Sequence, residues 1–342
     1  MKKLLNTLYI TTQGAWLSRE GETAVVTVDH EVRQKLPIHN IGSIVCFGQI
    51  NATPAFLGFC AERGVAVSFF TEYGKYLMRM EAPVRGNVLL RRQQYRLADN
   101  EQESAKIARS VLIGKIYNSR IVLQRAAREE STLYPDQLQK TVDSLALSIK
   151  DLGKTASLDA LRGIEGDAAR QYFDVFDHLI VSQKEDFEFT DRNRRPPMDN
   201  VNAMLSYAYT LLAHDVASAL EGVGLDPAVG FLHRDRPGRP SLALDLMEEF
   251  RSWFADRIVL TLINRKEVLG KQFSKSESGA VDMGEEARKS LLLAWQKRKQ
   301  DELTHPFLEE KVPIGILPHI QAQLLARYIR GDIDAYPPFV WR

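Results

Sequence analysis

The character of the sequence changes near residue 84, and this change constrains the fold more than any other feature. Residues 1–84 contain short runs of β-branched and aromatic residues separated by glycines, a pattern typical of strands joined by turns. Residues 51–63 break that pattern and predict one short helix. From residue 85 to residue 342, long stretches of Leu, Ala, Arg, Lys, Gln and Glu predict helices. We therefore expect a small β-sandwich or sheet, a linker at residues 81–87, and a larger helical domain.

Boundary residues in the second half support this division. Asp199 is placed to cap a helix that Gly222 and Gly224 end. Pro240 can open a helix that runs to about Asn264. Residues 271–286 are polar and predict a mobile or protruding loop. The face predicted to be buried on the helix after Asp199 comprises Val201, Leu205, Ala208, Leu212, Val216 and Ala219.

Charge is unevenly distributed along a chain whose net charge is only +1. Residues 75–128 hold twelve Lys or Arg against four Asp or Glu. Such a stretch favours a basic surface that binds a polyanion, with an acidic site elsewhere. A solvated helix rich in arginine is the ordinary alternative.

Cellular location is indicated by features at the start of the chain and by its two cysteines. Cys46 and Cys60 lie in apolar surroundings without metal-ligand spacing, so we expect small buried side chains in a reducing compartment. The N-terminus lacks the apolar run of a secretory signal, and no apolar run approaches the roughly 18–20 residues that span a bilayer. We expect a soluble cytoplasmic protein without membrane association.

Glu165 is the first candidate for chemistry on phosphodiesters, for which divalent ions held by carboxylates are common catalysts. It lies within a predicted helix between Gly163 and Gly166, and each glycine costs roughly 1 kcal/mol against Ala in a helix interior. A helix that keeps both glycines needs close backbone approach or leaves room for a ligand beside Glu165. The ordinary alternative is a surface glutamate.

His233 is the second candidate, in a basic loop before a helix. Arg234, Arg236 and Arg239 surround it in sequence and suit phosphates beside a scissile bond. A structural hydrogen bond is the ordinary explanation of the histidine.

The third candidate is the acid set Asp245, Glu248 and Glu249. Spacings of three and four place both glutamates near Asp245, and such a cluster repels unless a cation neutralises it. Acids in the first turns of a helix also interact favourably with the helix dipole, and this is the ordinary alternative to a metal site.

Three sequence blocks together resemble a known family, the CRISPR-associated integrase that inserts new spacers. The resemblance covers essentially the whole chain, and residues 336–342 resemble its subtype I-C branch. The blocks are LRGIEG (161–166) with ARQYF (169–173), RRPPMDNVNAMLSY (194–207), and GFLH (230–233) with LALDLMEEFR (242–251).

This resemblance implies an α+β protein with an N-terminal β-sandwich for dimer or partner contacts and an all-α catalytic domain. It implies Mg²⁺ or Mn²⁺ held by Glu165, His233 and an acid of the third block. Glu248 is favoured for that acid, with Asp245 nearby and Glu249 still possible. The implied partners are double-stranded and branched DNA, a second copy of the chain, and the small second CRISPR-associated protein.

The implied activity is insertion of spacer DNA at the repeat by attack of a 3′-hydroxyl on a phosphodiester, or cleavage when water attacks instead. A stand-alone nuclease for branched DNA in repair would use the same residues. A non-catalytic DNA-binding scaffold is a third possibility, which metal titration would separate from the other two. A hydrolase of small phosphoesters fits the arginine loop less well.

Four arginines provide a first test of the DNA-binding interpretation. Alanine at Arg194, Arg195, Arg234 and Arg236 should weaken DNA binding and reduce the slope of affinity against salt, because each phosphate contact releases counterions. Binding of a labelled duplex between about 50 and 200 mM salt measures that slope. An unchanged slope would contradict the assignment.

Overall fold

The computed structural model describes residues 6–72, 76–80, 88–129, 133–155, 157–193 and 196–341. The chain divides into two compact units, Met1–Gly86 and Asn87–Arg342, which we call the N-terminal and the C-terminal unit. The predicted linker, residues 81–87, lies outside the described residues.

The N-terminal unit contains two four-stranded sheets. In the first, β1, β5 and β7 are parallel and β8 is antiparallel to β7. In the second, β4, β3 and β2 are antiparallel and β6 is parallel to β2. The strands are β1 (Asn6–Ile10), β2 (Trp16–Glu20), β3 (Thr23–Val28), β4 (Glu31–Pro37), β5 (Ile41–Phe47), β6 (Asn51–Ala52), β7 (Ala66–Phe70) and β8 (Tyr76–Met80).

Helix α1 (Pro54–Arg63) forms where the strand pattern breaks, as predicted. Parallel strands such as β5 and β7 need a long crossover connection, and α1 lies within it. The Thr53 side chain accepts a hydrogen bond from the Phe56 N–H at the start of α1, and Gly64 ends the helix with a φ of 70°. Residues of both sheets and of α1 share one apolar core. Cys46 and Cys60 are free and buried in this core, and burial raises the pKa of each thiol to about 12.

The C-terminal unit is largely helical. A π-helical segment, Arg251–Asp256, separates α7 from α8. The helices are α2 (Val88–Asp99), α3 (Glu101–Ala126), α4 (Pro135–Lys154), α5 (Leu158–Asp174), α6 (Asn200–Val223), α7 (Ser241–Met247), α8 (Arg257–Asn264), α9 (Glu285–Gln300) and α10 (Leu317–Arg330).

The all-α prediction for this unit was wrong in two places. Residues 271–286, expected to be a loop, contain the antiparallel pair β9 (Phe273–Lys275) and β10 (Val281–Met283). A second pair comprises β11 (Glu302–Thr304) and β12 (Lys311–Pro313). Strands of three residues are too short to produce a recognisable alternating pattern, so the sequence gives little sign of them.

The predicted boundaries of α6 and α7 are confirmed. The Asp199 carboxylate accepts a hydrogen bond from the Asn202 N–H, and Gly224 ends α6 with a φ of 91°. Pro240 precedes α7, and the helical path continues through the π-helical segment to Asn264. Every residue of the predicted apolar face of α6 is buried. Within the described parts of the chain, we find no helix with the length and apolar character that crossing a membrane requires.

Helix α3 is the central helix of this unit, buried along much of its length and packed against α4, α5 and the π-helical segment. The chain after Tyr336 crosses it. The Asn118 side chain donates to the Phe339 carbonyl oxygen (2.9 Å) and accepts from the Trp341 N–H (2.7 Å). Gly114, one turn earlier, permits this approach, since a Cβ there would lie 3.1 Å from Pro338 Cβ and 3.2 Å from the Phe339 carbonyl oxygen.

Gly114→Ala should therefore destabilise the protein by about 1–3 kcal/mol, because overpacking displaces the crossing chain. The matched control is Gly153→Ala in α4, where an added Cβ has no neighbour within 4 Å. It should stabilise by about 0.5–1 kcal/mol, since Ala suits a helix better than Gly. Urea unfolding of both variants measures the two effects, and equal effects would contradict the close crossing.

Candidate functional site

Glu165 lies in the middle of α5, with its side chain 28% exposed. Gly163 and Gly166 beside it face open space, because a Cβ added at either would have no neighbour within 4 Å. Of the two explanations for these glycines, the structure favours room beside Glu165 over close backbone approach.

Lys115 of α3 joins Glu165 to Glu248. Its ammonium contacts Glu165 Oε1 and lies 2.9 Å from Glu248 Oε2, although residues 115, 165 and 248 are far apart in sequence. The Lys115 side chain is only 12% exposed. One buried cation therefore neutralises two carboxylates on two other elements.

Lys115 was not predicted as a site residue, although its position on α3 indicates that it needs a partner. Its neighbours at helical spacing on α3 are all buried, so Lys115 is a cation on the face of α3 that packs against the rest of the C-terminal unit. A lysine in such a position needs a carboxylate partner. The buried neighbours are Val111, Leu112, Asn118 and Ser119.

Glu248 immediately follows α7 and is held ionised by two cations. Burial alone would raise the pKa of Glu248, but Arg251, 2.7 Å away, together with Lys115 and His233, brings the pKa to about 2. Glu248 Oε2 is buried and makes no hydrogen bond, so its contact with Lys115 is an ion pair without hydrogen-bond geometry. This oxygen is therefore already paired with a cation, the Lys115 ammonium.

Asp245 shapes the loop that presents His233. Its carboxylate accepts hydrogen bonds from the N–H groups of Phe231 (2.6 Å), Leu232 (2.9 Å) and His233 (3.0 Å). The same carboxylate lies 2.6 Å from His233 Nδ1, so Nδ1 donates to Asp245 and Nε2 is the ring nitrogen left for another partner. Gly230 is required beside it, because a Cβ would lie 2.8 Å from Asp245 Oδ2.

Glu249 belongs to a different environment from Glu248. It is fully buried and accepts hydrogen bonds from Tyr336 Oη (2.8 Å), Gln321 Nε2 (2.9 Å) and the Phe339 N–H (2.9 Å). Burial raises the pKa of Glu249 to about 8, although these three donors oppose the shift. Glu249 thus binds the C-terminal segment, while Glu248 contacts Lys115.

A buried polar network supports Arg251. Its guanidinium lies over the Tyr209 ring, 4.2 Å from the centroid. The hydroxyl groups of Tyr209 (2.6 Å) and Tyr172 (3.0 Å) both donate to Asp256. Burial raises the pKa of Asp256 to about 6, against the opposing effects of the tyrosine hydrogen bonds and Arg251. Because Tyr172 is on α5, this network connects α5 to the π-helical segment. Short π-helical segments are frequent at functional sites.

The structure brings two of the predicted site residues together through Lys115 and places a third nearby. Lys115 brings Glu165 and Glu248 together, and His233 lies near enough to influence the pKa of Glu248. Within the described ranges, no group of three or more His, Cys, Asp or Glu side chains is placed to hold a metal ion. The ammonium of Lys115 lies between the carboxylates of Glu165 and Glu248.

Two of the four predicted DNA-binding arginines can be placed. Arg234 is 71% exposed and lies 3.2 Å from Asp159, and Arg236 is exposed on the same loop. Arg194 and Arg195 lie outside the described residues. Arg162 of α5 donates to the Leu232 carbonyl oxygen (2.9 Å), which connects that loop to the helix of Glu165.

The fold and the site define an α+β protein with an acid- and histidine-bearing site in a largely helical unit. The family model described as CRISPR associated protein Cas1 matches residues 8–297, and the chain belongs to this family. A relative named CRISPR-associated endonuclease Cas1 1, from Chlorobaculum tepidum, is 54% identical over 343 residues that cover 100% of both chains.

Solved structures share the fold. A casposase bound to integration product matches with a TM-score of 0.83 at 23% identity, covering 97% of this chain and 93% of that chain. A chain of a Cas6-RT-Cas1–Cas2 complex matches with a TM-score of 0.84 at 22% identity, covering 100% of this chain and 36% of that chain.

The pKa of Asp256 generates a prediction about stability. A folded pKa of about 6 exceeds the unfolded value of about 4. The folded state therefore binds this proton more tightly, and the resulting stabilisation is present below pH 4 and lost as the pH rises to 6. In Asp256→Asn, the free energy of unfolding should fall less between pH 4 and pH 6 than in the wild type, by an amount on the order of 1–3 kcal/mol.

Chemical denaturation of the variant and the wild type between pH 3.5 and about 7 measures the difference in pH dependence. Asp151→Asn is the control, because Asp151 is 62% exposed. If the Asp256 variant and the control follow the wild-type profile equally, the buried-proton account of Asp256 is wrong.

Proposed function

We propose that this protein is a metal-dependent DNA endonuclease and integrase of CRISPR adaptation. It would insert spacer DNA at the repeat by attack of a 3′-hydroxyl on a phosphodiester, and cleave DNA when water attacks. The observation that carries the proposal is the pair Glu165 and Glu248 around one buried cation, beside a histidine oriented by a carboxylate. Family membership and the endonuclease name of a 54%-identical relative support it.

We propose Glu165, Glu248 and His233 Nε2 as the ligands of Mg²⁺ or Mn²⁺. Carboxylate oxygens suit both ions, and an imidazole is more comfortable with Mn²⁺. The chemistry of these side chains suits such an ion, which would take the cation position that the Lys115 ammonium occupies 2.9 Å from Glu248 Oε2. The three side chains would have to draw closer together to hold it, because they form no metal-binding group in the described ranges. A bound divalent ion would neutralise developing charge on the scissile phosphate and lower the pKa of an attacking hydroxyl.

Asp245, an alternative ligand in the sequence analysis, is better suited to positioning His233. Its two oxygens already accept three backbone hydrogen bonds and contact His233 Nδ1. A carboxylate in this role fixes the ring orientation and the tautomer of a ligating histidine. Glu249 is unsuited to the site because its oxygens are occupied by Gln321 of α10 and by Tyr336 and Phe339 of the crossing segment.

Lys115 and Arg251 have separate roles in this proposal. Arg251 keeps Glu248 ionised from the protein side, at 2.7 Å. Lys115 neutralises the two carboxylates before an ion binds. Once displaced, its flexible side chain remains beside the site, where an ammonium can bind a non-bridging phosphate oxygen.

DNA would reach the site across the basic loop that contains Arg234 and Arg236, with Arg194 and Arg195 as further phosphate contacts. We also propose that the chain acts in the cytoplasm as a homodimer with the small second CRISPR-associated protein. The Cas6-RT-Cas1–Cas2 complex supports such an assembly by analogy of fold. The N-terminal unit, whose two sheets we propose to pack as a sandwich, would supply dimer or partner contacts. The ending of the chain, residues 336–342, favours subtype I-C.

The test is strand transfer of a labelled prespacer into a plasmid that carries a CRISPR repeat, with the partner protein and Mn²⁺. Glu165→Gln and His233→Ala should each lower the rate at least about 100-fold, since each removes a group that stabilises the transition state. Asp245→Asn should lower it about 10- to 100-fold by disorienting His233. Glu185→Gln, at an exposed position, is the matched control and should match the wild type.

Folded Glu165 and His233 variants that integrate at the wild-type rate would refute the assigned site. Glu165-dependent cleavage of branched DNA without integration would favour the stand-alone repair nuclease. DNA binding without any Mn²⁺ binding, measured by calorimetry, would favour the non-catalytic scaffold.

A further inference from the structure

Two arginines from different helices lie over the ring of Trp341. The guanidinium carbon of Arg125, near the end of α3, is 3.8 Å from the ring centroid, and that of Arg257, at the start of α8, is 4.9 Å away. Trp341 itself is 7% exposed and stacks on Trp253, so the ring is a fixed platform. Both guanidinium groups are thereby held in place at the end of a buried aromatic cluster.

Their positive charge is incompletely neutralised. Within the described ranges, neither Arg125 nor Arg257 makes an ion pair or a hydrogen bond through its side chain. Burial lowers the pKa of Arg257, and the nearby charges of Arg298 and Arg125 lower it further, while Glu129 opposes them. Arg298, from α9, is neutralised by the carboxylate of Asp301 at 2.9 Å, so the excess positive charge belongs to Arg125 and Arg257.

We propose that Arg125 and Arg257 form a second phosphate-binding subsite, which holds the backbone of double-stranded DNA away from the scissile bond. This inference rests on the proposed function. Guanidinium groups bind phosphate oxygens in pairs through planar, charge-assisted hydrogen bonds. Arginines that already lie beside a fixed aromatic ring lose less freedom on binding than solvated side chains do.

The position of the subsite relative to Lys115 favours duplex DNA as the ligand. Arg125 follows Lys115 by ten residues on α3, which corresponds to about 15 Å along the helix at 1.5 Å per residue. At roughly 3.4 Å per base pair, this distance spans about four to five base pairs. Ten residues at 3.6 per turn also leave the two side chains about 80° apart around the axis of α3, so a duplex that reaches both Lys115 and the arginines must cross from one face of the helix to the next.

A purely structural role for these arginines makes a different prediction. If they only anchor Trp341, their loss lowers stability and leaves the salt dependence of DNA binding unchanged. If they bind phosphate, their loss lowers the number of counterions released by DNA. Salt dependence is therefore the readout that separates the two roles.

The experiment uses the full chain without divalent ions and a labelled 30-base-pair duplex, with dissociation constants measured by fluorescence anisotropy at several salt concentrations. Arg125→Gln with Arg257→Gln removes the two charges that lie over Trp341. The slope of log affinity against log salt should fall in magnitude by about 2. Arg257→Gln alone should reduce it by about 1 if that variant folds.

The matched control is Arg63→Gln with Arg330→Gln, which removes the same charge from arginines paired with Glu22 (2.7 Å) and Asp332 (2.8 Å). Equal slopes for the two double variants would overturn the subsite. The two proposals can also fail separately. If the slopes differ between the two double variants as expected, but the wild-type protein neither cleaves nor integrates DNA with Mn²⁺, the subsite is supported and the proposed function is overturned.

Discussion

The ion pairs of Lys115 with Glu165 and Glu248 are the interaction on which the rest of the site depends. Two carboxylates brought together in a half-buried position repel each other unless a cation neutralises them. Lys115 provides that cation from a third element, and its own burial is tolerable because two acids accept its charge. The surrounding residues then set where each acid points and how strongly it stays ionised.

Helix α3 and the end of the chain provide the frame for this arrangement. Gly114 and Asn118 on α3, close to Lys115 in sequence, receive the crossing segment. Glu249 accepts two hydrogen bonds from that segment, from Tyr336 and Phe339, and a third from Gln321 of α10. Because Glu248 and Glu249 are adjacent, the binding of Glu249 to the C-terminal segment coincides with Glu248 facing Lys115. The C-terminal segment thus contributes to the geometry of a site that it does not enter.

Local rules predicted much of the fold but only part of the site. The cap at Asp199, the helix start after Pro240 and the room beside Glu165 all follow from short-range chemistry. The choice between Glu248 and Glu249 depends on partners distant in sequence, so the order of residues left it open. Lys115 was missed for the same reason, since its two acids are supplied by α5 and by the end of α7.

The most direct measurement of the central claim is a crystal structure of the protein grown with Mn²⁺, with an anomalous difference map to locate the ion. Our account predicts a peak bound by Glu165, Glu248 and His233 Nε2, with the Lys115 ammonium displaced from between the two carboxylates. A peak elsewhere, or no peak with Lys115 still bridging Glu165 and Glu248 at saturating Mn²⁺, would contradict it.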